Sequence, residues 1–167
     1  MYSTQGIVLN KISVGEADAI FSIYTKDFGK IRAMAQGIKK EEAKLKGHLE
    51  RFNLVDIAFV LGKSGERLTR ASAINTWGRL RCDHQKTSAA FYITELVHKN
   101  CFEGQKDDGL WKLISESIRD LDEANPAANP HFYDSFLNSF EKKLLELLGY
   151  GGSLDLTVLE RAVARPF

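Results

Sequence analysis

The stretch Lys30–Gly62, KIRAMAQGIKKEEAKLKGHLERFNLVDIAFVLG, decides the fold because it joins two strand patterns through a long basic connector. Its first eight residues alternate apolar and polar side chains, as in a half-buried strand whose outer face is basic. Its last nine, Leu54–Gly62, form a second strand pattern. The connector between them, Gln36–Phe52, holds four lysines and one arginine and is long enough for a helical turn or two.

Three further strand patterns lie outward from this stretch, namely GIVLNKI (6–12), DAIFSIYT (18–25) and ERLTRASAINTW (66–77). The sequence Gly62-Lys63-Ser64-Gly65 predicts a hairpin turn, because glycine tolerates positive φ. Five short strands with a longer connector after the third are typical of an OB-fold, a small Greek-key barrel. A generic small barrel or an SH3-like sheet fits the pattern almost as well.

After Cys82 the apolar period becomes helical. Three stripes of mainly apolar residues predict three helices: Ala89, Ile93, Leu96, Val97, Asn100 and Cys101; Leu110, Leu113, Ile114, Ser117, Ile118 and Leu121; Phe132, Phe136, Leu137, Phe140, Leu144, Leu147 and Leu148. Asn129-Pro130 is the predicted start of the third helix, and Gly149 its C-cap. A short helix is predicted from Leu156 to Ala164. The predicted chain is α+β, with an OB-fold barrel in residues 1–80 and a small all-helical domain in residues 81–167.

Composition indicates an ordinary cytosolic protein. The 167 residues are 44% hydrophobic and 27% charged. No apolar run approaches the roughly 20 residues that span a bilayer, and the N-terminus shows no secretory signal. The two cysteines, Cys82 and Cys101, exclude a four-cysteine zinc site and a disulfide scaffold. We therefore expect a cytoplasmic protein.

Charge is divided unevenly along the chain. Residues 1–82 contain 14 Lys and Arg against 8 Asp and Glu, whereas residues 83–167 contain 9 against 14. The first part is therefore +6 and the second −5. A split of this size indicates two modules with different partners, the first facing something negative.

Patterns of catalytic and metal-binding residues are missing. The GKSG stretch lacks the first glycine of a phosphate loop. The four histidines, His48, His84, His98 and His131, are scattered without metal-ligand spacing. Neither Ser64 nor either cysteine has a nucleophile signature, and Glu16 with Asp18 is more simply a surface pair. We expect no catalytic residue, no metal and no cofactor, and hence no enzyme.

The basic connector has two interpretations. Glu41 and Glu42 interrupt its lysines, as in a solvated turn with internal ion pairs. However, Lys30 and Arg32 are expected to project from the preceding strand, and further basic residues lie elsewhere in the predicted barrel: Lys11, Lys63, Arg67 and Arg70. Charges on several elements of one barrel can converge into a groove that follows a phosphate backbone. Base-stacking candidates are Tyr24, Phe28 and Trp77, although each also suits packing.

The first part of the chain resembles the RecO family of bacterial DNA repair and recombination proteins. The resemblance rests on Gly15-Glu16, on T-x-x-x-G-K at Thr25–Lys30, on A-x-G-x-K-K at Ala35–Lys40, and on Leu45-Lys46-Gly47 with Phe52. The second part is similar through FYITEL (91–96) and FEKKLLELLGYG (140–151). The resemblance covers roughly residues 3–155.

The resemblance implies an N-terminal OB-fold, a C-terminal helical domain and a non-enzymatic mediator. Such a mediator binds single- and double-stranded DNA, anneals strands and loads recombinase on gaps coated by single-stranded DNA-binding protein, with RecR as a partner. Carried over by position, the DNA-binding residues are Lys30, Arg32, Lys39, Lys40, Lys44, Lys46 and Arg51. The acidic, Phe-ending tail of the single-stranded DNA-binding protein is expected on the helical domain, with these candidates: Lys142, Lys143, Arg119 and Lys112.

One feature departs from the family. Many members carry a four-cysteine zinc module after the LLGYG stretch, and no cysteine follows that stretch here. We favour natural loss of the module over a shortened sequence, so no zinc is expected. The final Pro166-Phe167 resembles the end of the Phe-ending tail that such proteins recognise. The rival hypothesis is an OB-fold protein-interaction scaffold without significant DNA binding, which would show little salt-sensitive affinity for DNA.

Overall fold

The computed structural model describes residues 1–150 and Pro166. The predicted helix at Leu156–Ala164 and the terminal Phe167 lie outside the described residues. The chain divides into two compact units. The first contains Met1–Thr76 together with Phe102–Asp107, and the second contains Trp77–Cys101 and the chain from Asp108. A boundary between independent domains at residue 80 stays a prediction.

The first unit is a closed five-stranded barrel. Its strands are β1 (Tyr2–Val14), β2 (Asp18–Thr25), β3 (Gly29–Ala35), β4 (Leu54–Gly62) and β5 (Gly65–Asn75). Their order around the barrel is β1-β2-β3-β5-β4, closed by antiparallel pairing of β1 with β4. The β3–β5 pair is parallel and the other pairs are antiparallel. This arrangement confirms the predicted OB-fold.

The alternation of apolar residues along the strands builds the barrel core. Val8, Phe21, Ile23 and Ile57 are fully buried there. The β4–β5 hairpin closes with Gly62 paired to Gly65, whose φ of 109° requires glycine. The predicted hairpin turn is therefore confirmed.

A segment distant in sequence completes the barrel unit beside β3. The Gly104 N–H donates a 2.9 Å hydrogen bond to the Lys30 carbonyl, and Glu103 forms a parallel bridge with Lys30. Gly29 has a φ of 67°, and a Cβ at this position would lie 2.2 Å from the Gln105 carbonyl oxygen. Gly29 thus leaves room for the Phe102–Asp107 segment, and the Lys30 backbone holds it by a hydrogen bond.

The second unit contains α1 (Gly78–Arg81), α2 (His84–Asn100), α3 (Asp108–Glu123) and α4 (Phe132–Leu147). The Asp83 carboxylate caps α2 by accepting from the backbone N–H groups of Gln85 and Lys86. The Lys86 ammonium donates to the carbonyls of Asp122 (2.9 Å) and Ala124 (2.7 Å), satisfying the C-terminal end of α3.

The ends of α4 correct one prediction and confirm another. The helix begins at Phe132, so the predicted start at Asn129-Pro130 was wrong. The Asn129 side chain instead accepts from the His131 N–H at 3.0 Å, closing a turn before the helix. At the other end, Gly149 has a φ of 89°, and the Tyr150 N–H donates to the Leu145 carbonyl. This Schellman motif confirms Gly149 as the cap.

The two family-like stretches of the helical unit meet in its interior. The Tyr92 hydroxyl donates a 2.5 Å hydrogen bond to Glu141 Oε1, and both residues are buried.

Burial raises the pKa of Tyr133 above its ordinary value of 10.0, and the negative charge of Asp83 raises it further. That phenol therefore stays protonated at neutral pH. None of the described helices is long and apolar enough to cross a membrane.

Candidate nucleic-acid interface

The basic connector between β3 and β4 is a series of hydrogen-bonded turns. It is long enough for a helical turn or two, but it contains no helix. Backbone hydrogen bonds of 3.1–3.2 Å join Lys40 N–H to Gly37, Ala43 N–H to Lys40, and Lys46 N–H to Ala43. Glycines at 37 and 47 adopt positive φ, which reverses the chain at both ends of the lysine run. The connector therefore has a defined path over the barrel surface.

Apolar side chains anchor this connector. Ile38 and Leu49 are buried in the barrel core, and Leu45 packs against that core from the surface. Phe52 is also buried. Because alternate parts of the connector point inward, Lys40, Lys44 and Lys46 are left exposed. These three side chains are called the connector lysines, and together with Arg32 they are the exposed members of the predicted DNA-binding set.

Lys39 has a structural role in addition to its charge. Its ammonium donates a 2.8 Å hydrogen bond to the Gly15 carbonyl, and its backbone N–H donates to Ala17. The neighbouring Gly37 N–H donates to the Asp18 carboxylate at 2.7 Å. The connector is therefore fastened to the β1–β2 turn, which contains the Gly15-Glu16 pair. Lys39 is half-buried, as is Arg51 farther along the connector.

His48 fastens the other side of the connector. Its Nδ1 accepts a 3.1 Å hydrogen bond from the Ala73 N–H of β5. Its carbonyl accepts from the Asn53 side-chain amide at 2.9 Å. From the sequence, His48 was considered only as a metal ligand, and its spacing excluded that role. The structure shows that it helps to position the lysine run. Nothing in its local sequence indicated the contact with Ala73.

The two basic residues predicted on β3 differ in exposure. Arg32 is exposed, with Nε 3.7 Å from a Glu103 carboxylate oxygen. Lys30 is only 8% exposed, so the expectation that it projects outward was wrong. The cause is the Phe102–Asp107 segment, which hydrogen-bonds beside Lys30 and covers the start of β3.

A second basic element lies at the β4–β5 hairpin. Lys63 and Arg67 are exposed and line a cavity of about 380 Å³ whose wall also includes Gln36, the first residue of the connector. The hairpin thus extends the positive surface beyond the carried-over residues. Arg70, by contrast, is held by Asp56 at 2.9 Å.

The aromatic residues proposed for base stacking are mostly interior. Tyr24 is 0% exposed and Trp77 is 5% exposed, so neither ring presents a face to a base. Phe28 is half-buried and packs against the core. It contacts Tyr2 and Phe59, with ring centroids 5.5 Å and 5.4 Å away. Tyr2 was not singled out from the sequence, because a lone aromatic at a strand end carries no pattern.

The helical unit has a groove between α3 and α4. It measures about 430 Å³ and is lined by Lys112, Lys143, Leu113 and Leu147 together with Gly109, Glu116 and Glu146. Two of the four predicted tail-binding residues, Lys112 and Lys143, therefore share one groove with apolar neighbours. Lys142 and Arg119 are exposed but do not line it, and Arg119 lies 3.5 Å from Asp120.

Metal ligands do not cluster in the part of the chain that the structure describes, where no group of three His, Cys, Asp or Glu residues could hold an ion.

Family models match both parts of the chain. Residues 1–77 match the family described as Recombination protein O N terminal, and residues 81–162 match Recombination protein O C terminal. Together these matches cover most of the 167 residues.

Curated relatives agree with the family models. A protein named DNA repair protein RecO from Dehalococcoides mccartyi (strain ATCC BAA-2266 / KCTC 15142 / 195) is 31% identical over 149 residues, covering 89% of this chain and 56% of that protein. Its namesake from Thermoanaerobacter sp. (strain X514) is 28% identical over 159 residues, covering 95% and 62%. The Gloeobacter violaceus protein of the same name is 34% identical over 113 residues, covering 68% and 43%. The chain thus spans about half the length of the curated relatives it matches.

Proposed function

Because this chain belongs to the RecO family of DNA repair proteins, we propose that it is a DNA-binding mediator of recombination. In this proposal it binds single- and double-stranded DNA, promotes annealing and assists recombinase loading on gaps coated by single-stranded DNA-binding protein. It performs no catalytic step itself and works at the nucleoid in the cytoplasm.

The observation that carries the proposal is the anchored, outward-facing connector. Lys40, Lys44 and Lys46 are exposed on a path that buried apolar residues hold in place. Lys63 and Arg67 extend the surface on the neighbouring hairpin, next to the start of the connector. Because the connector backbone is already ordered, binding does not have to order it, and its cations neutralise phosphates without reading sequence.

Annealing follows from the same electrostatics. Two single strands repel each other through their phosphates. A cationic surface that holds both strands lowers this repulsion and leaves the base edges free to pair. We therefore expect weak sequence preference and steep salt dependence.

Fluorescence anisotropy with labelled single-stranded DNA at several salt concentrations tests the proposal. Five exposed cations on the connector and hairpin predict a slope of log K against log[salt] near −3.5 for single strands, at about 0.7 per phosphate. Raising salt from 50 to 200 mM is then expected to weaken binding about 100-fold. The slope for duplex DNA is expected near −4.5, at about 0.9 per phosphate.

Negligible binding at 50 mM salt would contradict the proposal. That outcome would favour the rival, an OB-fold interaction scaffold, and gel filtration would then be expected to show an oligomer. A salt-insensitive affinity would also contradict the phosphate-surface account, because counterion release accompanies every phosphate contact.

The groove between α3 and α4 is the proposed site for the acidic tail of the single-stranded DNA-binding protein. Lys112 and Lys143 supply positive charge for the tail carboxylates, and Leu113 and Leu147 supply apolar surface for its terminal phenylalanine. RecR is a further proposed partner on family grounds.

The double substitution Lys112→Glu with Lys143→Glu is expected to weaken binding of an acidic, Phe-ending peptide at least tenfold. Each change removes a charge-assisted contact and adds a repulsive carboxylate to the groove. Anisotropy with a labelled peptide measures the effect. The double substitution Lys99→Glu with Lys142→Glu is the matched control, because it reverses the same number of charges at two exposed lysines that do not line the groove. Equal weakening by the control would show that net charge, and not the groove, attracts the peptide.

A further inference from the structure

A second cavity of the barrel unit is lined by an aromatic cluster that the basic surface does not use. It measures about 380 Å³ and is bounded by Tyr2, Phe28, Phe59 and Leu61, with Lys30, Lys106, Asp27, Glu66 and Glu103 among its polar wall residues. This volume lies at the lower end of the range for small-molecule pockets.

The three rings form a fixed platform. Tyr2 and Phe59 stack with centroids 5.4 Å apart and an interplanar angle of 26°, and the Phe28 ring lies nearly perpendicular to both. Phe59 is buried and Phe28 packs against the barrel core, so the platform is held from beneath. Tyr2 remains 42% exposed although one face is covered by Phe59. The exposed part of this side chain can contact a base.

The charges of this cavity argue against a phosphate as its occupant. Three carboxylates, Asp27, Glu66 and Glu103, face two ammonium groups, Lys30 and Lys106. Because Arg32 also lies 3.7 Å from Glu103, positive and negative groups are nearly balanced here, and the cavity offers no excess of positive charge to attract a phosphate. A neutral heterocycle with hydrogen-bond donors suits both the rings and the carboxylates. Base–aromatic stacking is also the usual source of affinity in single-strand-binding OB-folds.

The position of the cavity connects it to the phosphate surface. Leu61 and Glu66 line both this cavity and the neighbouring cavity of Lys63 and Arg67. A strand whose phosphates lie on the hairpin cations therefore has a base within reach of Tyr2. We propose that the aromatic cavity of Tyr2, Phe28 and Phe59 binds an unpaired base of single-stranded DNA, an inference that rests on the proposed DNA-binding function.

Tyr2→Ala tests this inference. Because duplex bases are already stacked and paired, the substitution is expected to lower affinity for single-stranded DNA about 5- to 100-fold and to leave duplex affinity unchanged. The salt slope is expected to stay the same, since no phosphate contact is lost. A 2-aminopurine in the oligonucleotide is expected to be quenched by the wild-type protein and not by this variant.

Two controls separate stacking from loss of fold or of apolar surface. Tyr2→Phe keeps the ring and is expected to bind like the wild type. Ile12→Ala removes an exposed apolar side chain, 45% exposed and near the other end of β1, and is expected to change neither affinity. Wild-type affinity for single strands in Tyr2→Ala, or an equal loss for single strands and duplex, would overturn the base site alone. Failure of the wild-type protein to bind either DNA would overturn the proposed function as well.

Discussion

Replacing Lys40, Lys44 and Lys46 together by glutamate is expected to lower affinity for single-stranded DNA about 100-fold at 0.1 M salt. Three phosphate contacts on a single strand contribute about 2 to the slope of log K against log[salt], so the slope itself is expected to fall from about −3.5 to about −1.4. Repulsion by the new carboxylates adds to the loss. Anisotropy titrations at four or more salt concentrations measure both quantities.

This variant leaves the fold unchanged by design. All three side chains are exposed, whereas Lys39, whose ammonium bonds the Gly15 carbonyl, is retained. Thermal unfolding is therefore expected to match the wild type within a few degrees. A variant that also lost Lys39 would confuse DNA affinity with detachment of the connector from the β1–β2 turn.

A matched control changes the same amount of charge elsewhere. Lys99, Lys142 and Lys143 are exposed on the helical unit, and their replacement by glutamate is expected to leave the salt slope nearly unchanged. If both triple variants lost DNA affinity equally, net charge alone would account for binding, and the connector would have no special part in it.

Gly29→Ala is expected to destabilise the protein by about 3 kcal/mol or more. The residue has a φ of 67°, which strains any side chain, and its new Cβ would lie 2.2 Å from the Gln105 carbonyl oxygen. Positive φ costs a non-glycine residue about 1 kcal/mol or more, and overpacking against a backbone adds about 1–3 kcal/mol. Urea or thermal unfolding followed by circular dichroism measures the loss.

Gly15→Ala is the control that measures only the cost of placing a non-glycine residue at positive φ. Its φ is 56°, but a Cβ there meets nothing within 4 Å, so only the conformational cost of about 1 kcal/mol is expected. Similar losses for the two variants would mean that the Phe102–Asp107 segment yields easily beside β3. A larger loss at Gly29 would locate the cost in the close approach of that segment.

Periodicity predicted the elements because each element's pattern is local. The bounds predicted for β2 and β4, 18–25 and 54–62, coincide with the observed strands. The turn at Gly62–Gly65 and the Gly149 cap followed from the conformational freedom of glycine, a property of the residue itself. The start of α4 was misplaced because Asn and Pro favour a turn as readily as a helix N-terminus.

The candidate site was only partly predictable, because the exposure of its side chains depends on contacts between residues that are distant in sequence. Charge identified the connector lysines, and the pattern of apolar residues placed the strands beside them. Exposure, however, depends on what packs against a side chain. Lys30 is covered by a segment more than 70 residues later in sequence, and Trp77 and Tyr24 are buried by the completed units. No window of local sequence contains these contacts.

The sequence by itself determined the order of strands and helices along the chain and the location of positive charge, because these follow from short-range patterns and residue chemistry. The resemblance of its motifs to a known family indicated the OB-fold. Only the tertiary structure decided which cations face outward, that Lys39 and His48 hold the connector in place, and that Tyr2, Phe28 and Phe59 meet in one cavity. Closing the barrel brings β1, the β2–β3 turn and β4 together, and such contacts arise only once strands distant in sequence have paired.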